Sequence, residues 1–189
     1  MSKSLKVGII IASVVNALFL ASLFVCVGLG YDEPQFSIFI TLLMFAFHTD
    51  IRILIGSIFT LFFKKKLNIN KKCFKVGEKE YRFLVKLGVK KWKDKFVAWD
   101  RKQFVIGRRD NLLHGVERAL RNNISAEIIH HICFFAGFLA IWIGCAISIS
   151  SWWIFLLTAI LASFICDLPP IMIQRYNRYR LQRVSAHKR

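Results

Sequence analysis

The sequence predicts an all-α integral membrane protein with four transmembrane helices and a basic, aromatic-rich cytoplasmic segment between the second and third. Three observations carry this reading. Apolar residues make up 56% of the 189 positions and gather in long blocks. The 28 Lys and Arg, against 11 Asp and Glu, are concentrated outside those blocks. The longest connecting stretch interleaves its positive charge with aromatic rings. Crossing roughly 30 Å of hydrocarbon takes about 20 mostly apolar residues, and a backbone that finds no hydrogen-bond partner in lipid must bond to itself as a helix.

Four blocks meet that length: 7–30, 36–63, 132–149 and 152–173. They divide the chain into an N-terminal helix pair (1–63), an interfacial segment (64–131), a C-terminal helix pair (132–173) and a basic tail (174–189). The first block exceeds the roughly 7–15 residues of a cleavable signal's apolar core, so it reads as a retained signal anchor. The five cysteines are odd in number, and Cys26, Cys133, Cys145 and Cys166 fall inside blocks, which favours apolar packing over a disulfide framework.

Charge sets the expected orientation, because short cytoplasmic loops accumulate Lys and Arg. Lys3 and Lys6 precede the first block, whereas Tyr31-Asp32-Glu33-Pro34-Gln35 after it is acidic. The second block exits into Lys64-Lys65-Lys66, and residues 64–122 hold 19 basic and 6 acidic side chains. The tail carries Arg175, Arg178, Arg180, Arg183, Lys188 and Arg189. Both termini and the central segment are therefore expected on the cytoplasmic face of a multi-pass protein in the cell membrane.

The second block is interrupted by His48-Thr49-Asp50-Ile51-Arg52. Ionisable groups at that depth are costly and usually face a bundle interior or a wet cavity. His48 and Arg52, four apart, share a helix face; they either line the wall of a substrate cleft or serve as partners for polar groups of neighbouring spans, and the stretch also reads as a helix break. The segment 64–123 contains Phe74, Tyr81, Phe83, Leu84, Trp92, Phe96, Trp99, Phe104 and Leu112, too aromatic for a disordered tail. Such a mixture suits an element lying on the membrane, its cations meeting anionic lipid headgroups. Nucleic acid is not an expected partner of a chain threaded through a bilayer.

Two polar constellations flank the C-terminal pair. Glu127 and His130 are three apart on one helix face, at the edge of the third block. Asp167-Leu168-Pro169-Pro170 ends the apolar part of the fourth, and the proline pair is expected to kink or end the helix there. The following Gln174-Arg175-Tyr176-Asn177-Arg178 would then bend across the mouth of the bundle, as a lid and anion clamp or as a juxtamembrane anchor.

Lys90-Lys91-Trp92-Lys93-Asp94-Lys95, then Ala126-Glu127-x-x-His130, then Pro170 with Gln174-Arg175-Tyr176-Asn177-Arg178, resemble in order and spacing the glycosyl-4,4'-diaponeurosporenoate acyltransferase family, small bacterial membrane proteins of carotenoid pigment synthesis. The resemblance spans about residues 81–181. It implies transfer of a fatty acyl group from an activated thioester to a sugar hydroxyl of a glycosylated lipid such as a carotenoid glycoside. Acyl-coenzyme A or an acyl carrier protein would be the co-substrate, with no bound cofactor. The chain departs from the family at Phe96-Val97-Ala98-Trp99 and Asn122-Asn123-Ile124-Ser125, and places His131 where members often have tryptophan.

Acyl transfer to an alcohol needs a base for the hydroxyl proton and donors for the tetrahedral oxyanion. His130 is the candidate base and Glu127 its orienting partner, after the logic of a histidine held by a carboxylate. Arg175, Tyr176, Asn177 and Arg178 would hold donor phosphates or the oxyanion, while Lys91, Trp92, Lys93 and Asp94 would dock the donor or a headgroup. Two rival readings are a metal-dependent lipid-modifying enzyme, using His114, Glu117, Glu127, His130 and His131, and a non-catalytic accessory protein that binds anionic lipid.

Overall fold

Apolar blocks this long leave the backbone only one economical arrangement, and the computed structural model, which describes residues 3–29, 33–93, 112–139, 142 and 152–186, is helices joined by turns and short loops. Among them there is no strand. Helix α1 covers Lys3–Leu29 and α2 Glu33–Ile58, the latter continuing through a π turn, Phe59–Phe63, into a 3-10 turn, Lys64–Lys66. After a short 3-10 turn at Lys72–Phe74 come α3 (Glu78–Lys86) and α4 (Val89–Trp92), separated by Gly88. Gly88 has φ +70°, a left-handed conformation that a side chain resists. Then follow α5 (Leu112–Gly137), α6 (Trp152–Ala162), a π turn at Ser163–Asp167, and α7 (Leu168–Ala186).

Two helical stretches are long and apolar enough to cross a membrane, Ile38–Lys66 and Trp153–Ala186, and Ile9–Val25 is a shorter apolar helix. These support membrane association. Half of the block 132–149 lies outside the described residues, as does Asp94. Helix α5 runs without a break from Leu112 through residue 131, so the polar stretch before that block is helix. The proline pair does not end the fourth helix. Pro169 and Pro170 follow directly on the π turn Ser163–Asp167, the kind of local widening that accommodates a disturbance in the hydrogen-bond ladder. The basic stretch 174–178 is thus an ordinary part of α7.

The chain divides into two compact units. One comprises residues 1–55 and 132–166, the other 56–131 and 167–189. In the first, Ile40, Met44 and Phe155 are fully buried, with Phe36, Phe39, Leu43, Phe47 and Ile154 packed on them. Gly137 permits a close approach there: a Cβ at that position would stand 3.1 Å from both the His48 Cε1 and the Ser163 Oγ. Arg52 donates to the carbonyl oxygens of His48 (2.7 Å) and Ala162 (3.3 Å). The Asn16 amide donates to both carboxylate oxygens of Asp50 at 3.1 Å.

In the second unit, Leu84, Val89 and Tyr176 are buried together, flanked by Tyr81, Trp92, Met172 and Ile173. This docks α3 and α4 on α7. Polar contacts pin the loop before α3: Gln182 accepts from the Val76 amide (3.2 Å) and donates to the Phe74 carbonyl (3.1 Å). Arg121 on α5 donates to the carbonyl oxygens of Lys64, Lys65 and Leu67, the last at 2.8 Å.

Candidate functional site

Every contact described in this site lies within the second unit. On α5, Asn123, Glu127 and His130 follow one another at four and three residues, so they share a face. On α7, Arg178 lies four residues from Gln174 and three from Arg175, so it shares a face with each. The two faces meet side chain to side chain. Asn123 Nδ2 donates to Gln174 Oε1 at 2.6 Å. Glu127 receives Arg175 Nη1 at 2.7 Å on one oxygen and Arg178 Nη2 on the other. Arg175 also turns to α3, where its Nε and Nη2 bind the Glu80 carboxylate, Nη2 at 2.8 Å.

Two carboxylates and two guanidiniums thus tie three helices together. The Arg178 side chain is wholly buried and that of Glu127 is 7% exposed, while Arg175 retains 26%. Among the described residues, Nε and Nη1 of Arg178 have no hydrogen-bond partner. Each orphaned donor costs about 1–3 kcal/mol, so the Glu127 charge is what holds this guanidinium in place. Removing one member of such a buried pair typically costs about 3–5 kcal/mol.

His130 has a different partner from the one its sequence neighbours suggest. Its Nδ1 stands 3.1 Å from Oδ1 of Asp167, a carboxylate with no exposure. Glu127, expected from the Glu-x-x-His spacing to orient His130, has both oxygens engaged by arginines instead. The physical reason is charge: permanent cations compete better for a buried carboxylate than a neutral imidazole does. The tautomer with its proton on Nδ1 donates to Asp167 and has Nε2 as its basic nitrogen. His131 turns back on its own helix, its Nδ1 lying 2.9 Å from the Glu127 carbonyl oxygen. Burial, and less strongly the nearby Arg175 charge, holds the His131 imidazole below its ordinary pKa.

The remaining expected residues divide. Lys93 Nζ stands 5.7 Å from the Tyr176 ring centre, a cation–π distance. Tyr176 is buried against Tyr81, which also stacks on Tyr179 with ring centres 4.2 Å apart. Trp92 donates from Nε1 to the Leu87 carbonyl at 3.2 Å, Lys91 is exposed and Asn177 is half-buried. His48 and Arg52 belong to the other unit. His114 is exposed and Glu117 pairs with Arg121 at 3.3 Å. Among the described residues, no three His, Cys, Asp or Glu side chains converge as metal ligands.

Sequence reasoning did not single out Asp167 as a partner for His130, nor Glu80 and Gln174 as members of the network. The signals were present. Asp167 is a lone carboxylate at the end of an apolar run, and Glu80 is one of two acidic residues among 64–93. A buried charge without a nearby partner in the sequence asks for one elsewhere in the fold.

Neither a curated protein nor a solved structure matches the chain. The sequence model of the glycosyl-4,4'-diaponeurosporenoate acyltransferases matches residues 58–187. That is more than two-thirds of the chain, and it takes in α3, α5, α7 and every residue of the network above. The chain belongs to the glycosyl-4,4'-diaponeurosporenoate acyltransferase family.

Proposed function

We propose that the protein moves a fatty acyl group from an activated thioester, acyl-coenzyme A or acyl carrier protein, to a sugar hydroxyl of a glycosylated carotenoid. Family membership supports the reaction class and the kind of acceptor. The observation that carries the site is the His130 imidazole held at Nδ1 by the buried Asp167 carboxylate. The sugar hydroxyl gives its proton to His130 Nε2 as its oxygen attacks the thioester carbonyl. Asp167 stabilises the imidazolium so formed. Collapse of the tetrahedral intermediate expels the thiolate, which takes the proton back from His130.

Arg175 and Asn177, partly exposed, are the residues of this group open to donor phosphates or the oxyanion. Arg178, fully buried, fixes Glu127 and through it Arg175. In the topology we propose, helices over 7–30, 36–63, 132–149 and 152–173 span the membrane. Both termini and residues 64–131 then face the cytoplasm, where a soluble thioester donor is found.

The test uses membranes holding the full chain, incubated with labelled acyl-coenzyme A or acyl carrier protein and a glycosylated carotenoid. Transfer is expected, and His130→Ala should abolish most of it. Wild-type rates in both His130→Ala and Asp167→Asn would refute the site; no acylated glycoside with either donor would refute the function.

A further inference from the structure

Helix α3 has two faces of unlike character. Tyr81 and Leu84 pack on α7, and Glu80 binds Arg175. On the flank beside them, Phe83 is 58% exposed and Leu87, at the helix's C-terminal cap, 44%. Being four apart, these two form one apolar row. Lys79 and Lys86, both exposed, lie beside Phe83 at four and three residues, and Arg82, Lys90 and Lys91 are exposed nearby.

The charge around this row is one-sided. Residues 64–93 hold twelve Lys and Arg against two Glu. Both glutamates are engaged: Glu80 with Arg175, and Glu78 with Arg82 at 2.6 Å. The face therefore meets its surroundings with large apolar side chains set among lysines, while the two carboxylates of the segment are held by arginines. Such a pattern is costly against water alone, and it complements a surface that is apolar beneath and negative above.

We propose that the outward face of α3, the Phe83–Leu87 row with Lys79 and Lys86 beside it, docks into the headgroup layer of an anionic phospholipid membrane. Phe83 and Leu87 enter the boundary with the acyl chains, and the lysines meet lipid phosphates. Gly88, in its left-handed conformation, turns the chain directly after the row, so α4 packs back on α7. The same helix that presents Glu80 to Arg175 is thereby tied to the membrane surface. This inference does not depend on the acyl-transfer reading.

The experiment labels the full chain with bimane at Phe83→Cys or Leu87→Cys, its five native cysteines replaced by alanine. It is reconstituted in phosphatidylcholine vesicles with or without about 30 mol% phosphatidylglycerol. Headgroup-level doxyl lipid should quench both positions in the anionic vesicles, and about 0.5 M salt should reverse most of that quenching. Lys79→Gln with Lys86→Gln should weaken the docking about fivefold per charge removed. Hydrogen exchange across residues 78–92 of the unmodified chain should slow in anionic vesicles only.

Quenching that is absent, or equal in neutral vesicles and indifferent to salt, overturns the proposal. So does protection that fades as protein is diluted into excess lipid, which would mark the face as a contact between copies of the chain.

Discussion

The described contacts of an arginine among apolar neighbours differ between the two units. In the first, Arg52 is met by carbonyl oxygens, and Asp50, two residues away, by the neutral amide of Asn16. In the second, Arg178 is met by a carboxylate, and so is Arg175, twice. Dipoles satisfy a charge without creating a dependence on one partner, whereas a buried ion pair makes each member indispensable to the other. Among the described contacts, such mutual dependence joins α3, α5 and α7, beside the His130–Asp167 pair.

The largest effect should fall on chemistry. His130→Ala and Asp167→Asn are each expected to lower acyl transfer per folded protein by about 10²–10⁴-fold, while Arg52→Gln, whose amide still donates to a carbonyl, leaves it within a few-fold. An equal loss in Arg52→Gln would erase the contrast between the units. Next comes the clasp: Glu127→Gln takes the counter-charge from the wholly buried Arg178 and one of its two carboxylates from Arg175, and should cost about 3–5 kcal/mol in detergent-solubilised thermal unfolding.

Close packing in the first unit gives a smaller effect. Gly137→Ala would press a methyl against the His48 ring and the Ser163 hydroxyl and should destabilise by about 1–3 kcal/mol. Asn16→Ala, which removes a neutral amide from Asp50, should cost only about 0.6 kcal/mol, the scale of hydrogen bonds between membrane helices. A cost like that of Glu127→Gln would show that the first unit relies on charge after all.

The smallest effect concerns pH. Because the folded His131 holds its proton less tightly than the unfolded chain does, its contribution is intact above about pH 6.5 and is lost as pH falls from there toward its lowered folded pKa. The thermal midpoint should decline over that window, and His131→Asn should flatten the decline. An unchanged decline in the variant would assign it to another group.

The helices were readable because lipid-length apolar blocks leave few alternatives: 7–30, 36–63 and 152–173 all fall within described helix except for residue 30. Residues 112–131 were harder, since Arg, Asn, Ser and His weaken any apolar stripe there and the helix is held by contacts made across the fold. The site was legible in part. Periodicity put Glu127 and His130 on one face of α5, yet spacing within a helix says nothing about what stands opposite. Asp167 is 37 residues from His130 and Glu80 is 95 from Arg175. Competition decides such pairings: the arginines outbid His130 for Glu127, and His130 found the remaining buried acid. Pro169 and Pro170 suggested an interruption, and the π turn shows how the chain accommodated it.

Arg121 has a consequence for how this protein can change over time. It grips the stretch after α2 by the backbone oxygens of Lys64, Lys65 and Leu67, never by their side chains. The grip is therefore indifferent to what those residues are. Their letters are free to drift with the demands of charge and lipid, while the single letter at 121 has no such freedom.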